Sequence, residues 1–185
     1  MNRTEVSMKR SLLVGLAATA LSAQLFAQGP SLTIDPLFGT WKQNTRESVY
    51  DPPAGRPPAG SYAVREYAAG DDGSIVAITM NVDAQGLPSL GAISAANYDG
   101  KEYPQHTVAT LSTSLSSHIG PRLDRTISYT KIDPYTVRIV QRQGDQIIAK
   151  STRTISRDGK TMTDRSDYTN ATGQHVGNVL VFEKQ

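Results

Sequence analysis

Short runs of alternating hydrophobic and polar residues recur along most of this chain. Turn-forming residues break them about every ten positions, as in all-β sandwiches and barrels. From Ser61 onward the alternation predicts strands near 61–69, 74–82, 88–98, 102–109, 124–132, 135–143, 146–156, 161–169 and 174–184. Between them, Gly70-Asp71-Asp72-Gly73, Asp99-Gly100, Asp133-Pro134, Gly144-Asp145 and Asp158-Gly159 tolerate positive φ or are pre-set for a bend. No stretch reads as a long helix. Hairpins that follow one another without crossover helices predict an all-β, antiparallel up-and-down meander, and closing it into a barrel hides its edges.

Ahead of Ser61 the pattern is less regular. Leu37 to Trp41 reads as a first short strand. Asn44, with Glu47 three residues on, has the form of a capping box and predicts one helical turn through Val49. Residues 51–60, Asp-Pro-Pro-Ala-Gly-Arg-Pro-Pro-Ala-Gly, hold too many prolines for a helix or a central strand and predict an extended connector. A docking peptide for an aromatic groove is the alternative. Farther on, the serine- and threonine-rich stretch from Thr107 to Ser117, followed by Ile119-Gly120-Pro121, predicts a loop or a ragged hairpin.

The N-terminus has a different character. Arg3, Lys9 and Arg10 precede an apolar run from Leu12 to Leu21, which ends in small residues around Ala23 and Ala27. That is the three-part order of a secretory signal. Cleavage is expected after Ala27, or else after Ala23, giving a periplasmic or secreted domain of residues 28–185. A buried N-terminal helix is the other reading. The apolar run is short of the 18 or more residues that read as a membrane-spanning helix, and no later segment comes close, so the mature domain is expected to be soluble.

Charge and composition narrow the function. Residues 1–27 hold three of the 19 basic and one of the 17 acidic residues, so 16 of each remain and the mature domain is formally neutral. No lysine and arginine run could track a phosphate backbone, which excludes nucleic acid as a partner. The chain has no cysteine. The fold must therefore be held by its core rather than by disulfides, and thiolate catalysis, cysteine-based zinc sites and a lipid-modified N-terminal cysteine are all excluded.

The C-terminal hairpins suggest what the interior holds. A two-residue turn at Asp158-Gly159 places Lys150 opposite Asp167, Thr152 opposite Arg165 and Thr154 opposite Thr163 on one face. The other face pairs Arg153 with Asp164 and Ile155 with Met162. Neither face is cleanly apolar, whereas a dry sandwich core needs one apolar face per strand. A barrel around a wet cavity does not. Carrying a two-residue turn through Gly144-Asp145 groups Val137, Ile139 and Gln141 with Ile148, Lys150 and Thr152, and the last strand adds Val176, Asn178, Leu180 and Phe182. A one-residue slip would exchange the faces. A hairpin that projects from the barrel with both faces solvated is the alternative.

Phe38-Gly39-Thr40-Trp41-Lys42 resembles the Gly-x-Trp opening shared by lipocalins and intracellular fatty-acid-binding proteins, together the calycins. Val140-Gln141-Arg142, a tight turn, a strand, Asp158-Gly159-Lys160 and a closing Val181-Phe182-Glu183-Lys184 are similar to the last three strands of a fatty-acid-binding protein. Exported bacterial lipocalin-like proteins look closer still. They run from such a Gly-Thr-Trp through a proline-rich stretch to Asp-Gly-Lys-Thr-Met-Thr, here residues 158–163. The resemblance covers most of the mature chain and implies a barrel of about 8–10 strands with Trp41 sealing one end. Fatty-acid-binding proteins commonly anchor a carboxylate with an arginine in the strand after the tight turn and an Arg-x-Tyr pair in the last strand. Those positions align here with Thr152, Leu180 and Phe182, which implies weak or absent binding of fatty acids by that route, with Arg165 the only nearby substitute.

Other chemistry finds little footing. His106, His118 and His175 lack the local spacing of a metal motif, no cofactor motif is present, and the Gly-x-Ser-x-Gly nucleophile turn is absent, so no enzyme activity is expected. Asn170-Ala171-Thr172 matches a glycosylation sequon but falls in a predicted turn, where asparagine is common anyway. Two functions remain. One is a carrier for a small apolar or amphipathic ligand, with Trp41, Ile139, Ile148, Lys150, Thr152, Arg165, Asn178, Leu180 and Phe182 as candidate lining residues. The other is a non-enzymatic structural or protein-interaction module whose barrel is filled by its own side chains.

Overall fold

The computed structural model describes residues 34–107, 125–169 and 173–185. The predicted signal, the loop after Thr107, His118 and the sequon lie outside them in whole or in large part. The described strands are β1 Gly39–Val49, β2 Tyr62–Ala69, β3 Ile75–Val82, β4 Pro88–Ala96, β5 Tyr103–Thr107, β6 Arg125–Asp133, β7 Thr136–Gln143, β8 Gln146–Ile155, β9 Thr161–Ser166, β10 Tyr168–Thr169, β11 His175–Val176 and β12 Val179–Lys184. Strands β1 to β9 pair antiparallel in sequence order, and β12 joins β9 to β1, closing a ten-strand up-and-down barrel. Closure satisfies the backbone groups that an open edge would leave unpaired. β10 and β11 form a separate two-stranded ribbon. The two last predicted strands are thus each divided. Where β9 ends, the N–H of Ser166 donates to the carbonyl of Asn178 (2.8 Å) and that of Asp167 to Lys150 (2.9 Å).

The helical turn expected at 44–49 is corrected: residues 39–49 are one strand. The capping signal is nevertheless used. Asn44 Oδ1 accepts from the N–H groups of Arg46 (3.1 Å) and Glu47 (3.2 Å), as a helix cap would. The result is a bulge, because β1 advances from Asn44 to Val49 while its partner β12 moves only from Val181 to Val179. Ser48 closes it. Its buried Oγ donates to the carbonyl of Asn44 (2.7 Å) and accepts from the N–H of Val181 (3.0 Å). Among the described residues the one helical segment is a single 3₁₀ turn, Pro53–Gly55, inside the connector expected to be extended throughout.

The ends of the barrel are unlike each other. Where β1 begins, the strands are joined by short turns, including Asp158-Gly159, whose glycine takes the positive φ of +70° that this turn needs. Leu37 and Trp41 are wholly buried at this end, and Trp41 Nε1 donates to the carbonyl of Leu37 (2.8 Å). Ile75, Ala77, Ala96, Val137, Ile155 and Met162 belong to the same buried cluster. At the opposite end lie the connector 50–61, the β10–β11 ribbon, the end of β5 and the start of β6.

Candidate functional site

Strand register decides which side chains enter the barrel. Across the Asp158-Gly159 turn it is as the sequence predicts: Thr152 faces Arg165, Arg153 faces Asp164 and Ile155 faces Met162. Across Gly144-Asp145 it is corrected. Gln143 pairs with Gln146 and Arg142 with Ile147, but Gln141 pairs with Ala149, leaving Ile148 unpaired in a bulge. One extra residue reverses every side chain beyond it. Val137 therefore pairs with Arg153 and Ile139 with Ser151. Val137 and Ile139 are buried core residues, so Arg153 and Ser151 point inward while Lys150 and Thr152 point outward. The hairpin is a pair of barrel staves rather than a projecting arm.

The candidate lining residues accordingly separate. Trp41, Ile139, Leu180 and Phe182 are in or against the interior core. Lys150, Thr152 and Arg165 are on the outer wall, and Ile148 sits half-buried in the bulge. Asn178 joins neither group; its Oδ1 accepts from the N–H of Asp51 (3.0 Å).

A polar layer crosses the interior: its Arg153–Asp164 pairing is the one the hairpin predicts, but its inward orientation and the arrival of Arg65 are not. Asp164 Oδ2 accepts from Arg153 (2.6 Å) and from Arg65, whose guanidinium also stacks on Phe182 at 4.3 Å. Arg153 Nη1 donates to the Tyr67 hydroxyl at 2.5 Å. Burial alone would raise the pKa of Asp164, but the charges of Arg153 and Arg65 outweigh it and hold the carboxyl well below the usual range. The ionised carboxylate in turn helps keep Arg153 protonated against its own desolvation. Burial pushes the Tyr129 hydroxyl up to about 12. Two guanidiniums against one carboxylate give this layer a net positive charge, and among the described residues Asp164 Oδ1 and Arg153 Nε are buried without a partner. The strand after the tight turn thus does carry an inward arginine, one residue beyond the Thr152 position where none was expected.

Toward the long-loop end the inward side chains become small and polar. Gln141 Nε2 donates to Gln105 Oε1 over β6 on the inner wall (3.2 Å). Gln43 donates to the Tyr50 hydroxyl (2.8 Å) and accepts from the N–H of Ala63 (3.0 Å). Ala63, Thr79, Ala92, Ala149, Ser151 and Leu180 also face inward by register yet are only partly buried.

The three outward candidates meet in a second place. A groove of about 630 Å³ lies on the outer wall over β7, β8 and β9 beside β10, and Lys150, Thr152 and Arg165 line it together with Arg138 and Tyr168. Among the described residues no group of three histidine, cysteine, aspartate or glutamate side chains is placed to hold a metal ion; His106 is on β5 and His175 on β11. No family model, curated protein or solved structure gives a significant match to the chain, so the geometry carries the functional argument by itself.

Proposed function

We propose that this protein is an exported, non-enzymatic, lipocalin-like carrier that takes a small, partly apolar ligand into the long-loop half of its barrel. The ligand's polar end would face the Arg65–Asp164–Arg153 layer. The observation that carries this reading is the gradient along the inner wall. Large apolar side chains fill the closed end, whereas small and polar ones line the other, where Ala63, Thr79, Ala92, Ala149 and Ser151 stay partly exposed despite facing inward while Gln43 and Gln105 are buried. Small-molecule sites commonly combine apolar walls with a few fixed polar groups. Arg65 is the accessible member of the layer, with its side chain 15% exposed against 3% for Asp164. The unbalanced positive charge favours an oxygen-rich or anionic end. Export is supported by the three-part N-terminus.

The test is titration with the neutral dye Nile red, whose emission rises on entering an apolar site. The protein is expected to bind it. Ala149→Trp, which places an indole in the inner wall, is expected to weaken binding at least about tenfold, or 1.4 kcal/mol, in a protein that still folds. Full-strength binding by folded Ala149→Trp would overturn the reading. An absence of binding by the unmodified protein would favour the filled-barrel interaction module.

A further inference from the structure

The outer-wall groove has a chemistry of its own. Arg138 on β7 is the cross-strand partner of Thr152 on β8, and Thr152 is that of Arg165 on β9. Neighbouring strands are about 4.8 Å apart, which puts the Cα atoms of Arg138 and Arg165 about 10 Å from each other. Lys150 lies two residues from Thr152 on the same outward face. Three cations therefore converge around one threonine hydroxyl. Elsewhere among the described residues most cations have partners: Lys101 pairs with Asp99, Lys131 with Asp35, Arg142 with Glu102, and Arg157 lies over Tyr135. Among the described residues, Arg138, Lys150 and Arg165 make no ion pair, side-chain hydrogen bond or ring contact. The one carboxylate in the lining, Asp167, is largely exposed and has His175 Nδ1 at 3.6 Å from its Oδ1.

We propose that this groove is a second ligand site, on the outside of the barrel, for a free small molecule with an anionic head on an apolar or aromatic body. The cations take the head, and Val140, Ile147 and Tyr168, which also line the groove, take the body. The volume suits a drug-sized ligand, for which pockets run from about 300 to 1,000 Å³. The same bulge at Ile148 that turns Arg153 inward turns Lys150 and Thr152 outward, so one irregularity serves both sides of the wall. A membrane surface fits less well. The large apolar side chains most exposed among the described residues are Ile34, Val49, Leu87 and Ile132, and none of them lines the groove.

The probe is 8-anilinonaphthalene-1-sulfonate, followed by amide chemical-shift changes so that the groove and the interior are resolved. The shifts are expected at Val140, Lys150, Thr152 and Tyr168. The double variant Arg138→Gln with Arg165→Gln is expected to weaken them at least about fivefold, and Lys150→Gln about twofold, as for exposed charge contacts. Ala149→Trp should leave this binding unchanged, which separates it from the interior site. Raising salt from about 0.05 to 0.5 M should weaken it, and phosphatidylglycerol vesicles should not compete. The proposal is overturned if the shifts fall only on inward residues, if the folded double variant binds as tightly as the parent, or if the vesicles displace the dye.

Discussion

Asp164 is the side chain on which the interior most depends. It is the single carboxylate between two guanidiniums, and removing its charge would leave the buried Arg153 and the half-buried Arg65 without a counter-charge. Breaking a buried ion pair in this way costs about 3–5 kcal/mol, whereas replacing all its members with apolar residues of similar volume is often near neutral. Asp164→Asn is therefore expected to lose about that much stability in urea unfolding. Arg65→Met, Arg153→Met and Asp164→Leu together should recover most of it. The pH dependence follows from the same groups. The folded pKa of Asp164 lies below its unfolded value of about 3.9, so its contribution is complete above about pH 5 and is lost as pH falls. Tyr129 is the reverse case, raised from about 10 to about 12. Its contribution is intact below about pH 10 and is lost as pH rises through about 12. Melting temperatures from pH 2 to 12 should fall at both extremes, and should fall less on the acid side in the triple variant. At this scale the sequence is half legible. Arg153 opposite Asp164, flanked by Ile155 opposite Met162, follows from one hairpin turn. Arg65 does not, because it reaches Asp164 across the barrel, and cross-barrel contacts have no local spacing to announce them.

At the level of the strand, the decisive features are bulges. Alternation and turn residues are local properties, and they place β2 to β9 within a few residues. A bulge is one unpaired residue whose cause is closure and curvature of the whole sheet, and nothing in the residues Gln146-Ile147-Ile148-Ala149 marks one. Without the bulge, Lys150, Thr152 and Arg165 would share the face of Val137 and Ile139 instead of the outer wall. The bulge at Asn44 shows the opposite failure: its signal is visible but has the form of a helix cap, because the same side-chain bond to the backbone serves either structure. Ser48 makes that bulge testable. Ser48→Ala would leave the N–H of Val181 without its acceptor, at a cost of about 1–3 kcal/mol. Equilibrium unfolding should show this loss, with backbone exchange at Val181 speeded more than at Phe182. A loss below about 0.5 kcal/mol would mean that water or a shifted register supplies the bond.

Across the whole molecule, the meander order and its closure follow from short hairpins without crossovers, which is why the architecture is readable from the sequence. The asymmetry of its ends follows less directly. It depends on which inward faces are large and which are small, and so on the register that the bulges set. One consequence is a barrel with a packed floor at Trp41, a charged layer above it, and small or polar inward side chains, some of them partly exposed, toward the other end. The chain has no cysteine, so single thiols can be placed cleanly to measure this. Ser151→Cys, Thr152→Cys and Ile155→Cys put a thiol on the inner wall toward the long loops, on the outer wall and in the closed end, and a small methanethiosulfonate reagent reports access to each. The account predicts fast reaction at position 152, reaction at 151 that Nile red slows, and no reaction at 155 while the protein is folded. Protection at 151 equal to that at 155 would contradict an accessible interior and leave a filled barrel.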